Sequence, residues 1–478
     1  MNWLHPHEHG RRLRLAYCQN LHAADSLDAT IEGLRAITLP LASRLISRAA
    51  RASRDRASSG RFGVGLYLPA SVALPLAAPS GARDLERFAE FLGENALDAF
   101  TYNAFPFGGF HNAGLKSGVF RPTWEEDARV EFTLAVARIA ARIARRNGGL
   151  EPPSHVSIST HSGRFGAFGA DDAGRESART CVRNMARVVA ELARIESEQG
   201  IHIVLALEPE PRASANDVAA LAPFLANAWT DGAELLSRAH GGTLDAARVL
   251  MRRHLGTCLD CCHAAVEFER DAVARWNASG SSLGKLQFSS ALALVDPATN
   301  ATGRARLFAL DEPRYLHQVT GVDGERRIRC DDLADLRRAF ESSSSATARD
   351  TGGARRSDWE RCREWRCHFH VPVDLESLDD EAHGGSQDFP ASGDSRTRSR
   401  DRSSAISLST TRADADRMLA ETLALESWRP PELHVEIETY TWDILPGSAR
   451  GQGSLVDGLE REYAHVIGEL ERAGWLRE

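Results

Sequence analysis

The sequence is most informative where it is poor. It has two lysines, Lys116 and Lys285, and arginine at the other 56 basic positions. Lysine is a compact, rotatable cation and arginine a planar fork, so the two are not interchangeable at a tight site. Both lysines are therefore marked for attention. No apolar run approaches the ~18 residues of a membrane span, so no stable membrane insertion is expected. The N-terminal stretch MNWLHPHEHGRRLRL has neither an apolar core nor a small-residue cleavage site, so no signal peptide is expected and a cytoplasmic location is. A strongly basic balance is missing too. The net charge of −8 offers no phosphate-binding face and disfavours nucleic acid. No 20–50-residue repeat recurs.

Eight cysteines in a cytoplasmic setting are expected as thiols. Three crowd into GTCLDCCHAAV (256–266). A zinc–thiolate centre needs a second cysteine or histidine cluster at matched spacing, and Cys330, Cys362 and Cys367 do not supply it. Cys258 and Cys261 have redox spacing but span a strand end rather than open a helix. Buried structural thiols are the expectation, leaving the Asp260/His263 pair as the chemically useful part.

Of the 478 residues, 42% are hydrophobic, enough for a large core. Nine short apolar, β-branched segments recur: 13–21 (LRLAYCQNL), 62–68 (FGVGLYL), 99–105 (AFTYNAF), 155–160 (HVSIST), 201–207 (IHIVLAL), 255–260 (LGTCLD), 283–289 (LGKLQFS), 365–371 (WRCHFHV) and 433–440 (LHVEIETY). Stretches with apolar spacing near 3.6, such as 128–146 and 176–199, lie between them. Strand–helix alternation predicts a parallel sheet covered by helices, and eight units close a (β/α)8 barrel. The ninth segment is expected outside the barrel; 62–68, 365–371 and the first are the suspects. One domain is expected over 1–478. The Ser/Asp/Gly/Arg-rich stretches at about 341–358 and 378–404 read as disordered insertions or long loops.

Barrel chemistry sits where strands end. There the sequence sets Glu208 (LALEPEP), Asp260 with His263 one turn on, Gln287, and the alternating Glu436 and Glu438. A charge ending a buried strand is costly unless it is paired or binds a cation. Alternation puts Glu436 and Glu438 on one face, and Glu438, nearer the strand end, is the favoured ligand. This oxygen-rich set favours Mn2+ or Mg2+, with Zn2+ or Co2+ as alternatives. Each residue also has a plain role: a loop carboxylate, a cap, a hydrogen-bonded amide. The combination carries the reading. In His368-Phe-His370, alternation places both imidazoles on one face, as ligands, acid–base groups or a hydrogen-bonded pair on an outer strand.

Several blocks occur in a familiar order: Asn20-Leu-His22, FTYNAFPFGGFH (100–111), SIST (157–160), LALEPEP (205–211), CLDCCH (258–263), GKLQFSSAL (284–292), LDEPRYLHQV (310–319), HFHVP (368–372), LSTT (408–411) and HVEIETYTWDILP (434–446). Together they resemble the bacterial metabolite-traffic EboE family, within the xylose-isomerase-like TIM barrels beside sugar-phosphate isomerases and epimerases. The resemblance implies a divalent metal on Glu208, Asp260, Gln287 and Glu438, with His263 as a substrate-binding histidine. The isomerases usually carry histidine where this chain has Gln287; an amide oxygen is a weaker ligand, and His368 or His370 could substitute. The family is linked to export of secondary-metabolite precursors, which implies partner proteins.

The expected function is a metal-dependent isomerase or epimerase acting on a small polyhydroxylated or hydroxy-carbonyl metabolite, with Glu208 and Glu438 as the catalytic pair. Asn103, His111, Lys116, Arg314 and His317 join His263, His368 and His370 as substrate contacts. A non-catalytic carrier or assembly partner using an isomerase-like pocket is the alternative; the aromatic FTYNAFPFGGF and ETYTWDIL segments suit a flat ligand. The acidic charge weakens a third reading, a metal-dependent phosphodiesterase acting on nucleic acid.

Overall fold

The computed structural model describes all residues except 5–10, 23, 53–60, 147–152, 342–352, 379–407, 451–452 and 478. Its strands in chain order are β1 (Asn2–Leu4), β2 (Arg12–Cys18), β3 (Phe62–Tyr67), β4 (Leu97–Asn103), β5 (Val156–His161), β6 (Ile203–Glu208), β7 (Leu255–Asp260), β8 (Leu283–Phe288), β9 (Ser290–Val295), β10 (Val319–Asp323), β11 (Arg326–Cys330), β12 (Glu364–Val371), β13 (Ser409–Thr410), β14 (Glu432–Ile437) and β15 (Leu476–Arg477).

Strands β2 to β8 pair in parallel, each with the next, and β14 pairs in parallel with both β8 and β2, which closes an eight-stranded barrel. Helices stand between the strands. The longest, Asp172–Gln199, is fixed at both ends: Asp171 accepts from the Gly174 N–H, and Gly200 takes the left-handed turn at φ 71°. Such an N-cap is worth about 1 kcal/mol.

Eight of the nine sequence segments are barrel strands; 365–371 is the one outside. It is not a lone arm. Strands β9 to β13 form a second, antiparallel sheet in the order β11-β10-β12-β9-β13, inserted between barrel strands β8 and β14. Sequence reading missed this sheet because β9 follows β8 after a single residue, and the two read as one apolar run. It has its own core, in which Leu292, Leu294, Trp359, Trp365 and Phe369 are buried together.

Most of both low-complexity stretches lies outside the described residues. Within the first, residues from 356 onward enter the helix Arg356–Arg361, so the expectation of disorder to 358 needs correcting. Asp358 accepts from the Arg355 N–H at 2.7 Å, and Trp359 is buried in the second core; together they order a segment whose composition alone looked unstructured. Leu378, at the edge of the second stretch, is also buried.

The barrel interior is polar. Along β14, Leu433, Val435 and Ile437 join the main apolar core, while Glu432, His434 and Glu436 are buried on the opposite face. Arg14 bridges Asp98 and Glu432 at 2.6 and 2.8 Å. Ser157 links Thr101 at 2.8 Å and His434 at 3.0 Å. Above these, Lys285 forms a short, fully buried ion pair with Glu436. Gly65 makes room for that pair: a Cβ there would lie 1.7 Å from Glu436 Oε1.

Candidate active site

The period-2 alternation of β14 continues upward past its last residue and delivers Glu438 to the barrel mouth. Glu438 is held by three amides: Asn20 Nδ2–H donates to Oε1 at 2.6 Å, Asn103 Nδ2–H to the same oxygen at 3.3 Å, and Gln287 Nε2–H to Oε2 at 2.6 Å. Glu208 ends β6 and Asp260 ends β7, and ligand oxygens of Glu208, Asp260 and Glu438 all lie within 4.8 Å of one another. Asp260 Oδ1 accepts from the His263 N–H at 2.8 Å and from Ser289 Oγ at 3.0 Å. Asp260 Oδ2 and Glu208 Oε2 are buried without a hydrogen-bond partner.

Burial, with Glu438, Asp260 and Glu210 as neighbouring charges, pushes the Glu208 carboxyl well above its usual range. Burial and the Asp260 and Glu436 charges do the same to Glu438. Burial also lifts Glu210 to about 8. The Lys285 ammonium stands one layer below; burial pulls it down, but Glu436 and its other neighbours hold it above the ordinary lysine value. Glu436 is thus committed to Lys285, and Glu438 is the carboxylate at the mouth. Gln287 is fully buried, and its Oε1 accepts from the Cys258 thiol at 2.7 Å. In this arrangement its amide steadies Glu438 and its oxygen is turned away from the carboxylate cluster.

The second sheet lays β12 across the mouth. His368 and His370 reach down beside His263, which sits on the helix Cys261–Val266 directly after β7. His263 Nε2 is 3.1 Å from His368 Nε2 and 3.2 Å from His370 Nε2. Burial lowers all three imidazoles, His370 to about 4.

The remaining expected contacts separate into two groups. Asn103, Lys116 and Arg314 line the cleft with Glu208, Glu438 and the three histidines. Lys116 is paired with Asp332 at 2.9 Å and Arg314 with Asp443 and Glu312, so both cations are already partnered. His111 and His317 stand behind the lining. His111 bridges the Asn20 carbonyl at 2.7 Å and the Tyr315 hydroxyl at 2.8 Å. His317 stacks on Phe369 at 3.8 Å and contacts the His368 carbonyl at 2.9 Å.

Several lining residues escaped sequence reading: Asn20, Glu210, Phe110, Tyr315 and Tyr440. Glu210 had a signal, since it stands two residues after Glu208. Phe110 and Tyr440 lie in the aromatic segments expected to suit a flat ligand, though neither was singled out, and Tyr315 had no signal; the three meet from distant segments, with ring centroids 4.9–5.2 Å apart. Free space in the cleft is about 50 Å³, several times the roughly 10–15 Å³ one water needs. All eight cysteines are buried thiols.

The fold and cleft define an α/β barrel with a buried carboxylate–imidazole mouth, where barrels of this kind place their chemistry. No protein-family model matches the chain, and no curated protein matches it. Among solved structures it is similar to two of N-terminally His-tagged D-allulose 3-epimerase from Methylomonas sp. One, in complex with D-allulose, has 15% identity over 60% of this chain and 75% of that one, at a TM-score of 0.31. The other, with additional C-terminal residues, has 15% identity over 58% and 73%, at 0.29. Among the described residues, no helix is long and apolar enough to cross a membrane.

Proposed function

We propose that the protein is a divalent-metal-dependent isomerase or epimerase acting on a small polyhydroxylated or hydroxy-carbonyl metabolite. On this reading it is one cytoplasmic barrel domain of the xylose-isomerase-like kind, serving secondary-metabolite precursor traffic with partner proteins as an EboE-type protein. The observation that carries the chemistry is the trio Glu208, Asp260 and Glu438, buried within 4.8 Å of one another. Among the described residues, their ion-pair partners are histidines: His263 for Glu208 and Asp260, and His370 for Glu438. Lys285, the near ammonium, is committed to Glu436. Three buried carboxylates without a compensating cation are costly, and the unpartnered Glu208 Oε2 and Asp260 Oδ2 fit an Mn2+ or Mg2+ ion.

Glu208, Asp260 and Glu438 would hold the ion, with Gln287 orienting Glu438 rather than ligating. When bound, the ion supplies Lewis acidity toward adjacent carbonyl and hydroxyl oxygens. Glu208, through Oε1 beside His263, would take a proton from the substrate carbon. Glu438, fixed by Asn20, Asn103 and Gln287, returns one. Burial and the neighbouring carboxylates raise both carboxyls above the ordinary range, the direction that favours acid–base exchange over permanent ionisation. Phe110, Tyr315 and Tyr440 form the wall against the substrate's apolar face and help exclude water. The two cationic lining residues are paired already, which favours a neutral substrate over a phosphorylated one.

That aromatic wall also supports a second reading, a non-catalytic carrier for a flat metabolite. Metal analysis separates the two. Chelator-treated protein should take up Mn2+ and gain thermal stability, and Glu438→Gln should abolish that uptake. Deuterium from solvent should enter a hydroxy-ketone incubated with loaded protein. Absence of both Mn2+ uptake and a thermal shift refutes the enzyme and leaves the carrier.

A further inference from the structure

The cleft does not end at the aromatic wall. A second compartment of about 370 Å³ adjoins it, lined by Leu21, His111, Trp442, Asp443, Ser454 and Leu455. Arg314 and Tyr440 line both compartments. The chain joins them as well. Leu21 follows Asn20, which holds Glu438 at 2.6 Å, and Tyr440 stands two residues after Glu438. Tyr440 turns its hydroxyl inward, 3.5 Å from His368 Nε2. A molecule held at Glu438 therefore has the outer compartment beside it.

The two compartments differ in chemistry. The inner one sets carboxylates, amides and imidazoles around about 50 Å³, room for a head group the size of roughly three to five waters. At about 370 Å³ the outer one falls within the roughly 300–1,000 Å³ of small-molecule pockets, and its polar groups are already engaged. His111 uses both ring nitrogens, on the Asn20 carbonyl and the Tyr315 hydroxyl. Arg314 is paired with Asp443. Ser454 Oγ–H donates to Asp457 at 2.8 Å in the cap of the helix Leu455–Arg472. The Trp442 indole is fixed at two edges. Its Nε1–H donates to Glu462 Oε1 at 3.1 Å, and its far edge occupies the space that a side chain at Gly458 would need, since a Cβ there would lie 2.3 Å from the ring. What the compartment offers a ligand is the apolar surface of Leu21, Trp442 and Leu455. A wall held this rigidly loses little freedom on binding.

We propose that the substrate is larger than a simple polyol: its hydroxy-carbonyl head sits in the carboxylate cleft, and a neutral aryl or alkyl group joined to that head fills the outer compartment against Leu21, Trp442 and Leu455. This rests on the reading of the cleft as the head's site. Burying the apolar group adds affinity in proportion to the area removed from water. It does so away from the reacting atoms, so the outer compartment selects which heads are held rather than how they react.

The test uses the full chain with Mn2+ supplied and two ligands in calorimetric titration: dihydroxyacetone, the head alone, and its monophenyl ether, the head with an aryl group. The ether should bind at least ~10-fold more tightly. Leu455→Glu should bring that ratio toward one. A carboxylate in the first turn suits a helix N-terminus, so the variant should fold; should it not, a crystal structure of the wild-type complex decides by whether the phenyl ring touches Trp442. The proposal is overturned if the two ligands bind equally, if neither binds, or if Leu455→Glu keeps the full ratio, which would seat the ring on the inner aromatic wall. A ratio that collapses in the variant while no solvent deuterium enters the ether leaves this subsite standing and sinks the isomerase reading. Deuterium entering both ligands at equal affinity does the reverse.

Discussion

Replacing Lys285 by methionine keeps most of the stem and deletes the ammonium. Lys285 and Glu436 are both fully buried, and Glu436 Oε1 already lacks a hydrogen-bond partner. The variant would strand a carboxylate in the barrel and leave the Tyr102 carbonyl, 3.4 Å from Nζ, without that donor. A contact ion pair is worth about 4 kcal/mol at an effective dielectric near 20, and breaking a buried pair from one side costs about 3–5 kcal/mol. Set against total stabilities of about 5–15 kcal/mol, that loss should bring the urea midpoint at pH 7 down sharply, as read by circular dichroism. Lys285→Met with Glu436→Leu removes both polar groups and should recover most of it, to within about 1–2 kcal/mol of wild type. Lys285→Arg should also destabilise, by about 1–3 kcal/mol from overpacking, although arginine fills 56 of the 58 Lys and Arg positions in this chain. A single Lys285→Met variant within about 1 kcal/mol of wild type, or a double variant worse than the single, would refute the reasoning.

Two further outcomes follow from the interior polar groups. Burial, with Asp374 adding, pushes the Glu462 carboxyl up to about 8; the native state then binds the extra proton, so this group's contribution is full below about pH 4 and is lost as pH rises toward 8. Glu462→Gln should flatten the melting temperature against pH between 5 and 8, removing a slope of at most ~1.4 kcal/mol per pH unit, and an unchanged slope contradicts the assignment. Gly65→Ala would set its Cβ 1.7 Å from Glu436 Oε1 and should cost about 1–3 kcal/mol; a melting temperature equal to wild type would mean that the Lys285–Glu436 pair is not packed as described.

What could be read ahead of the fold, and what could not, divides along contact range. Short apolar, β-branched runs marked every barrel strand, because a parallel strand buried on both faces reads as a near-continuous apolar segment. Helical stretches 128–146 and 176–199 were legible through the 3.6 period, and the structure extends them to Asp127–Arg146 and Asp172–Gln199. Glu208 and Asp260 were visible as charges ending apolar runs. Glu436 and Glu438 could be put on one face, with Glu438 favoured for lying nearer the strand end; what separates them physically is the layer Lys285 occupies. The second sheet was invisible: β9 abuts β8, and the antiparallel pairings β9–β12 and β10–β12 join segments far apart in the chain.

The sequence by itself determined the local periodicities, and hence a barrel with acidic strand ends. Tertiary structure alone decided which groups share a charge environment. Lys285 neutralises Glu436, while Glu438 is held by amides instead; Gln287 turns its oxygen to Cys258; a bulge in β12 brings two imidazoles to within 3.2 Å of a third. Hydrophobic period is written every two to four residues. Electrostatic partnership depends on distances of a few ångströms between residues more than a hundred positions apart, and only barrel closure sets them.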